Sequence, residues 1–150
     1  MTTATPTSIE MSPADLREIL KLTRAASPDE ACGLVVGRRE GDTLIVTRVV
    51  EATNVVQPDD RPKRFEVDPE TRIRLEKRLR GTPDELIGHW HSHPFGPPSP
   101  SARDLAQAYE PELIWLICAP DTSPPLTAWR ADPKAGGFRP IPVLIAKEIS

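Results

Sequence analysis

Two histidines two residues apart, His91 and His93, followed at once by Pro94 and then by Ser101 and Asp104, restrict this chain more than any other feature. The preceding run, Leu86-Ile87-Gly88-His89-Trp90-His91, is apolar and aromatic enough for a buried strand, where residues two apart point from one face. His91 and His93 can therefore converge on one ion. The proline-rich stretch from Pro94 to Pro100 cannot continue a ladder and must loop away, and Ser101 opens a helix-favouring segment beginning Ala102-Arg103-Asp104. Asp104 then falls in the first helical turn. Two imidazoles and a carboxylate make three protein ligands and leave a fourth tetrahedral position for water, as in zinc sites that catalyse rather than brace a fold.

The rest of the chain reads as one domain carrying that site. A length of 150 residues suffices for a proper core, and residues 1–10 read as a flexible terminus before a single domain over 11–150. Ser12-Pro13 predicts the start of a helix whose buried face carries Leu16, Ile19, Leu20 and Thr23. Gly33–Gly37 and Thr43–Val50 read as a hairpin turning through 38–42, Arg64–Val67 as a short strand, and a helix is predicted from Pro69 to about Gly81. Further strands are predicted at 113–118, 126–130 and 141–145. The mixed order predicts an α+β fold, an α/β sandwich with a curved, mostly antiparallel or mixed sheet flanked by three helices.

Charge and cysteine content exclude other classes. A net charge of -3 without a basic run offers nothing to nucleic acid or an anionic membrane. The first residues lack the apolar core of a signal peptide, and no apolar run approaches the roughly 20 residues of a membrane span, so a cytoplasmic protein is expected. Cys32 and Cys118 stand alone, with no CxxC, and read as reduced core residues rather than metal ligands or a disulfide.

The order of these residues, Glu30 within Asp29-Glu30-Ala31-Cys32-Gly33-Leu34, then His91-Ser92-His93-Pro94, six residues, and Ser101-Ala102-Arg103-Asp104, resembles the JAMM (MPN+) zinc metallopeptidase family over about residues 12–131. The resemblance implies a cytidine-deaminase-like MPN sandwich and one zinc ion held by His91, His93 and Asp104. It also implies Glu30 as the catalytic acid-base, a role that spacing alone could not assign, and hydrolysis of an isopeptide or peptide bond. The implied substrate is a ubiquitin-like or sulfur-carrier protein cut after its Gly-Gly C-terminus, supplied by another gene. The leaving amine and the oligomeric state stay open.

The chemistry is consistent with that reading. Zinc held by two neutral imidazoles and a carboxylate keeps a net charge near +1 and brings the pKa of a bound water toward about 7. A carboxylate near the metal must still move the protons, and the Ser101 hydroxyl is expected to face the developing oxyanion. An extended substrate is expected to enter beside the Phe95–Pro100 loop and edge strands by β-strand addition.

Other readings remain at this stage. Ser101 and Asp104 can form a capping box, although that motif prefers Glu or Gln where Asp104 stands. His89 shares the strand face of His91 and could replace Asp104 as a ligand, and Glu30 could be a solvated surface acid. A non-catalytic MPN scaffold would be expected to lack a ligand, and none is missing. A zinc nucleobase deaminase would need H-x-E and a paired-cysteine motif, which are absent. A peptidase acting on cell-wall or phage-related peptides keeps the same site.

Overall fold

The computed structural model describes residues 5–132, 134 and 136–147. Eight strands form one sheet: β1 (Ser8–Met11), β2 (Cys32–Glu40), β3 (Thr43–Ala52), β4 (Glu85–Ser92), β5 (Ile114–Cys118), β6 (Leu126–Asp132), β7 (Gly137–Ile141) and β8 (Val143–Ile145). The described residues also form three helices, α1 (Pro13–Ala26), α2 (Pro69–Leu79) and α3 (Ala102–Ala106), and a 3-10 turn at Pro58–Asp60. The strand order is β7-β6-β5-β4-β2-β3-β1-β8. The pairs β2–β3, β2–β4, β5–β6 and β6–β7 are antiparallel, whereas β1–β3, β1–β8 and β4–β5 are parallel. The sheet is thus mixed, and its two outermost strands are consecutive in sequence with only Pro142 between them. That short link bends the sheet until β8 also touches β6.

Strand alternation sorts the sheet into two faces. One face buries Ile9, Val35, Leu44, Trp90, Ile114 and Leu116 against α1, which contributes Ile19. The other carries Leu34 and Val36 under Leu75 of α2, then Cys32 and Trp115 under Phe65. His91 pairs with Cys32 and His89 with Leu34, so both histidines lie on this second face while Trp90 lies on the first, as the alternation predicts. Gly33 is required where Trp90 crosses it: an added Cβ would come within 1.9 Å of the Val50 carbonyl and 2.3 Å of Trp90 Nε1. A proline opens both long helices behind a capping side chain, with Asp15 N donating to Ser12 Oγ at 3.1 Å and Glu70 N to Asp68 Oδ1 at 3.1 Å.

Several expectations are corrected. Residues 8–10 are not a flexible terminus: β1 begins at Ser8 and is held between β3 and β8, with Ile9 completely buried, while residues 1–4 lie outside the described ones. Arg64–Val67 forms no strand, only the bridge between Asn54 and Val67, because the Asn54 side chain takes the groups a ladder would use. The hairpin of β2 and β3 turns through Gly41 and Asp42 alone. β7 was not expected, its Pro140 being tolerable because the strand has no outer partner.

Candidate metal and catalytic site

The C-terminal end of β4 delivers His91 and His93 side by side, and the Pro94–Pro100 loop swings back to start α3 beside them. His91 Nε2 and His93 Nε2 lie 3.0 Å apart, and Asp104 Oδ2 lies 3.2 Å from each. His91 is fully buried, Asp104 is 4% exposed and His93 8%. The His93 ring nitrogen Nδ1 sits 2.8 Å from the Pro97 carbonyl, which can only accept, so the proton is on Nδ1 and Nε2 presents a lone pair. Burial lowers the pKa of His91 and keeps it neutral. Burial also works against the His93 cation, but bonds to Asp104 and the Pro97 carbonyl outweigh it and move that pKa up.

Asp104 is held well below the usual carboxylate range, burial being overcome by its bonds to His91, His93 and the Ser101 N–H. Its Oδ2 accepts from Ser101 N at 2.9 Å, and its own N–H donates to Ser101 Oγ at 3.0 Å. A capping box therefore does form with aspartate at the fourth position, despite the motif's preference for Glu or Gln there. The cap fixes the carboxylate that faces the histidines and leaves the Ser101 hydroxyl hydrogen uncommitted, so capping does not compete with the site.

A second carboxylate, Glu30, closes the other side. Its ligand atom, one from His91 and one from His93 lie within 4.8 Å of one another. Glu30 is 6% exposed, Oε1 has no hydrogen-bond partner, and burial pushes its pKa up to about 8. The surface-acid reading is thereby excluded. Its backbone is clamped: Glu30 N donates to the Arg61 carbonyl at 2.7 Å, and Asn54 Nδ2 donates to the Glu30 carbonyl at 3.1 Å and to the Arg64 carbonyl at 3.0 Å. Asn54 Oδ1 accepts from Val56 N and Glu66 N, so one side chain ties the whole segment to Glu30. Ser92 does the same from β4, its hydroxyl accepting from Ala31 N at 2.8 Å. Sequence reasoning missed both residues; the one signal was a buried-strand serine between two histidines, where an apolar residue is the norm.

His89 is not brought into the cluster. Its ring meets Trp115 edge-on at 4.3 Å and Phe65 at 6.0 Å, and burial lowers its pKa to about 3. Cys32 is buried, its thiol pushed up to about 12, so it is inert as expected. The expected edge strand beside the site is also absent: β4 lies between β2 and β5, far from the free edges β7 and β8, so strand addition has no edge there.

The residues fit a metal ion by their own chemistry. Two imidazole nitrogens and a carboxylate oxygen face one another at 3.0–3.2 Å, an arrangement that needs a proton or a cation among them and that a metal ion satisfies with all three at once. That spacing is close to the roughly 3.3 Å ligand–ligand edge of a tetrahedron with zinc bonds of about 2.0–2.1 Å. Residues 12–132 match the family of prokaryotic homologues of the JAB domain. The chain belongs to that family. It is a JAMM/MPN+ type domain, a family whose members usually depend on zinc.

Desampylase of Haloferax volcanii is 33% identical over 106 residues, covering 70% of this chain and 73% of that protein. A desampylase of Pyrococcus furiosus is 32% identical over 102 residues, 68% and 67% of the two chains. A probable TtuB-protein conjugate cleaving protease of Thermus thermophilus is 36% identical over 96 residues, 61% and 60%. Among solved structures, a Desulfitobacterium hafniense protein superposes on this JAB domain with a TM-score of 0.81 at 31% identity, covering 94% of each. A JAB1/MPN domain protein from Archaeoglobus fulgidus shares the fold, with a TM-score of 0.56 at 19% identity over 90% of this chain and 98% of that one.

Proposed function

We propose that this JAB domain is a cytoplasmic zinc-dependent isopeptidase or peptidase that hydrolyses the amide after the C-terminal Gly-Gly of a ubiquitin-like or sulfur-carrier protein. The observation that carries the reading is the convergence of His91 Nε2, His93 Nε2 and Asp104 Oδ2 at 3.0–3.2 Å beside a separate, buried Glu30 carboxyl. His91, His93 and Asp104 would hold one zinc per chain. Glu30, whose carboxylate spacing is looser than that of Asp104, would stay off the ion.

Zinc, when bound, supplies positive charge that acidifies water and polarises the scissile carbonyl. Glu30 accepts the proton of the attacking water and returns it to the departing amine. A carboxyl titrating near neutrality suits both transfers, since neither protonation state is far out of reach. Ser101, its oxygen already accepting from Asp104 N, donates its hydroxyl hydrogen to the oxyanion, a contribution of roughly 3 kcal/mol for single donors of this kind. The Pro97 carbonyl holds the His93 tautomer, and burial excludes competing water.

A protein conjugate as substrate is supported by the relatives named desampylase and TtuB-protein conjugate cleaving protease. No helix among the described residues is long and apolar enough to cross a membrane, and the charge pattern favours no nucleic-acid partner. The test compares two zinc-loaded reactions, on a Gly-Gly-linked conjugate and on the same conjugate carrying Val-Val. Side chains beside the cut should lower kcat/KM by roughly 10²-fold or more through displacement of the scissile carbonyl. Equal rates, or cleavage of neither, would discard the ubiquitin-like substrate and favour a cell-wall or phage-related peptide.

A further inference from the structure

A cavity of about 400 Å³ opens from Glu30, His93 and Ser101 and is walled by the loop that follows the histidines. Phe95 belongs to this wall yet is 79% exposed. A large aromatic held out in water beside a reaction centre is costly unless something covers it. The loop is not free to fold it away. Pro97 and Pro98 carbonyls are bonded to His93 Nδ1 at 2.8 Å and to Thr127 Oγ1 at 2.6 Å, and Gly96 N donates to the His93 carbonyl at 3.4 Å.

The wall is also poor in hydrogen-bonding groups. Pro62, Pro94, Pro97 and Pro100 have no N–H, and the N–H groups of Lys63 and Ser101 are engaged by Asp60 and Asp104. An extended peptide in this cavity would find few backbone N–H donors for its carbonyls, whereas a chain of methylenes needs none. Glu30 opens into the cavity and His91 and Asp104 do not, so the group that receives Glu30's proton, the leaving amine, lies on this side. Lys63 on this wall has no ion-pair partner among the described residues, so the rim favours an acidic neighbour.

We infer that Phe95, on its proline-walled loop, is the specificity determinant for the leaving-amine side and selects an amine carried on an unbranched aliphatic stem, the side chain of a lysine with acidic neighbours. The inference rests on the proposed hydrolase reading and adds to it the residue that reads the leaving-amine side. Phe95 touches the stem and takes no part in proton transfer or metal binding.

The test uses the full zinc-loaded chain and two substrates with the same Gly-Gly acyl protein. In one it is joined to the lysine Nε of acetyl-Glu-Lys-Glu amide, in the other to the α-amine of Glu-Lys-Glu amide. Wild type should prefer the first by about tenfold or more in kcat/KM, the scale of burying two methylenes. Phe95→Ala should remove that preference by slowing the Nε substrate alone, Phe95→Leu should keep most of it, and zinc content should be unchanged in both. Equal slowing of both substrates, no slowing of either, or a wild-type preference for the α-linked substrate overturns the assignment. Cleavage of neither by zinc-loaded wild type overturns it together with the hydrolase reading, a different outcome from a lost preference.

Discussion

His91 and His89 stand two residues apart on the same face of β4, and the same two aromatic rings, Phe65 and Trp115, pack against both. Their surroundings otherwise diverge. Around His91 a second imidazole and a carboxylate approach Nε2 at 3.0 and 3.2 Å; His89 instead lies against the two rings and a cavity shared with Leu34, Arg72 and Glu110, although Nδ1 of both histidines has no partner. Residue type and strand face are therefore insufficient to make a ligand. What separates the two is position along the strand: only its C-terminal end is met by the returning loop and by the first turn of α3.

The largest effect should come from breaking the His91 end. Asp104→Ala removes a proposed ligand and the capping-box bond to Ser101 N together, and His91→Ala removes a proposed ligand alone; each should bring zinc from one per chain to a small fraction by elemental analysis and abolish turnover. Full zinc in both variants would sink the assignment. Next, Glu30→Gln should retain zinc while kcat falls by roughly 10²–10⁴-fold, the range for lost general acid-base catalysis. Ser101→Ala should cost roughly 10²-fold in kcat with KM little changed.

A smaller effect concerns stability of the metal-stripped protein. Glu30 ordinarily titrates near 4.5 and in the fold at about 8, so between these values the folded state holds a proton that the unfolded chain releases. Its contribution is present below about pH 4.5 and lost as pH rises through 8. Thermal melts of the metal-stripped wild type and Glu30→Gln should therefore diverge over pH 5–8, the variant gaining several degrees at the upper end. Parallel curves would mean that Glu30 is hydrated. The smallest effect belongs to the other histidine: His89→Phe, which removes an unpartnered buried nitrogen, should leave zinc at one per chain and Tm unchanged or slightly raised. Loss of zinc in this variant would erase the distinction between the two ends.

Much of the site was legible because its signals are local. Strand alternation put His91 and His93 on one face and Trp90 on the other, and the Pro94–Pro100 run forced the return that brings Asp104 back. Apart from the Ser101–Asp104 capping box and the tight turn at Gly41 and Asp42, which are local, the misreadings were long-range. β1 has no local signal, since it exists through parallel pairing with residues 43–45 and 143–145. Asn54 reads as a loop residue, and only the fold shows one amide replacing a strand's ladder and bracing Glu30. Whether an edge lay near the site depended on strand order, which hydrophobic periodicity does not encode.

The pairing of β7 and β8 at opposite limits of the sheet bears on how the chain is synthesised. Residues 137–145 supply both outer strands, so until they leave the ribosome β6 and β1 each offer an unprotected row of amides and carbonyls to other nascent chains. The proposed metal ligands, all before residue 105, emerge earlier. Removing residues 137–145 would spare every proposed ligand and still yield a sticky, aggregating product.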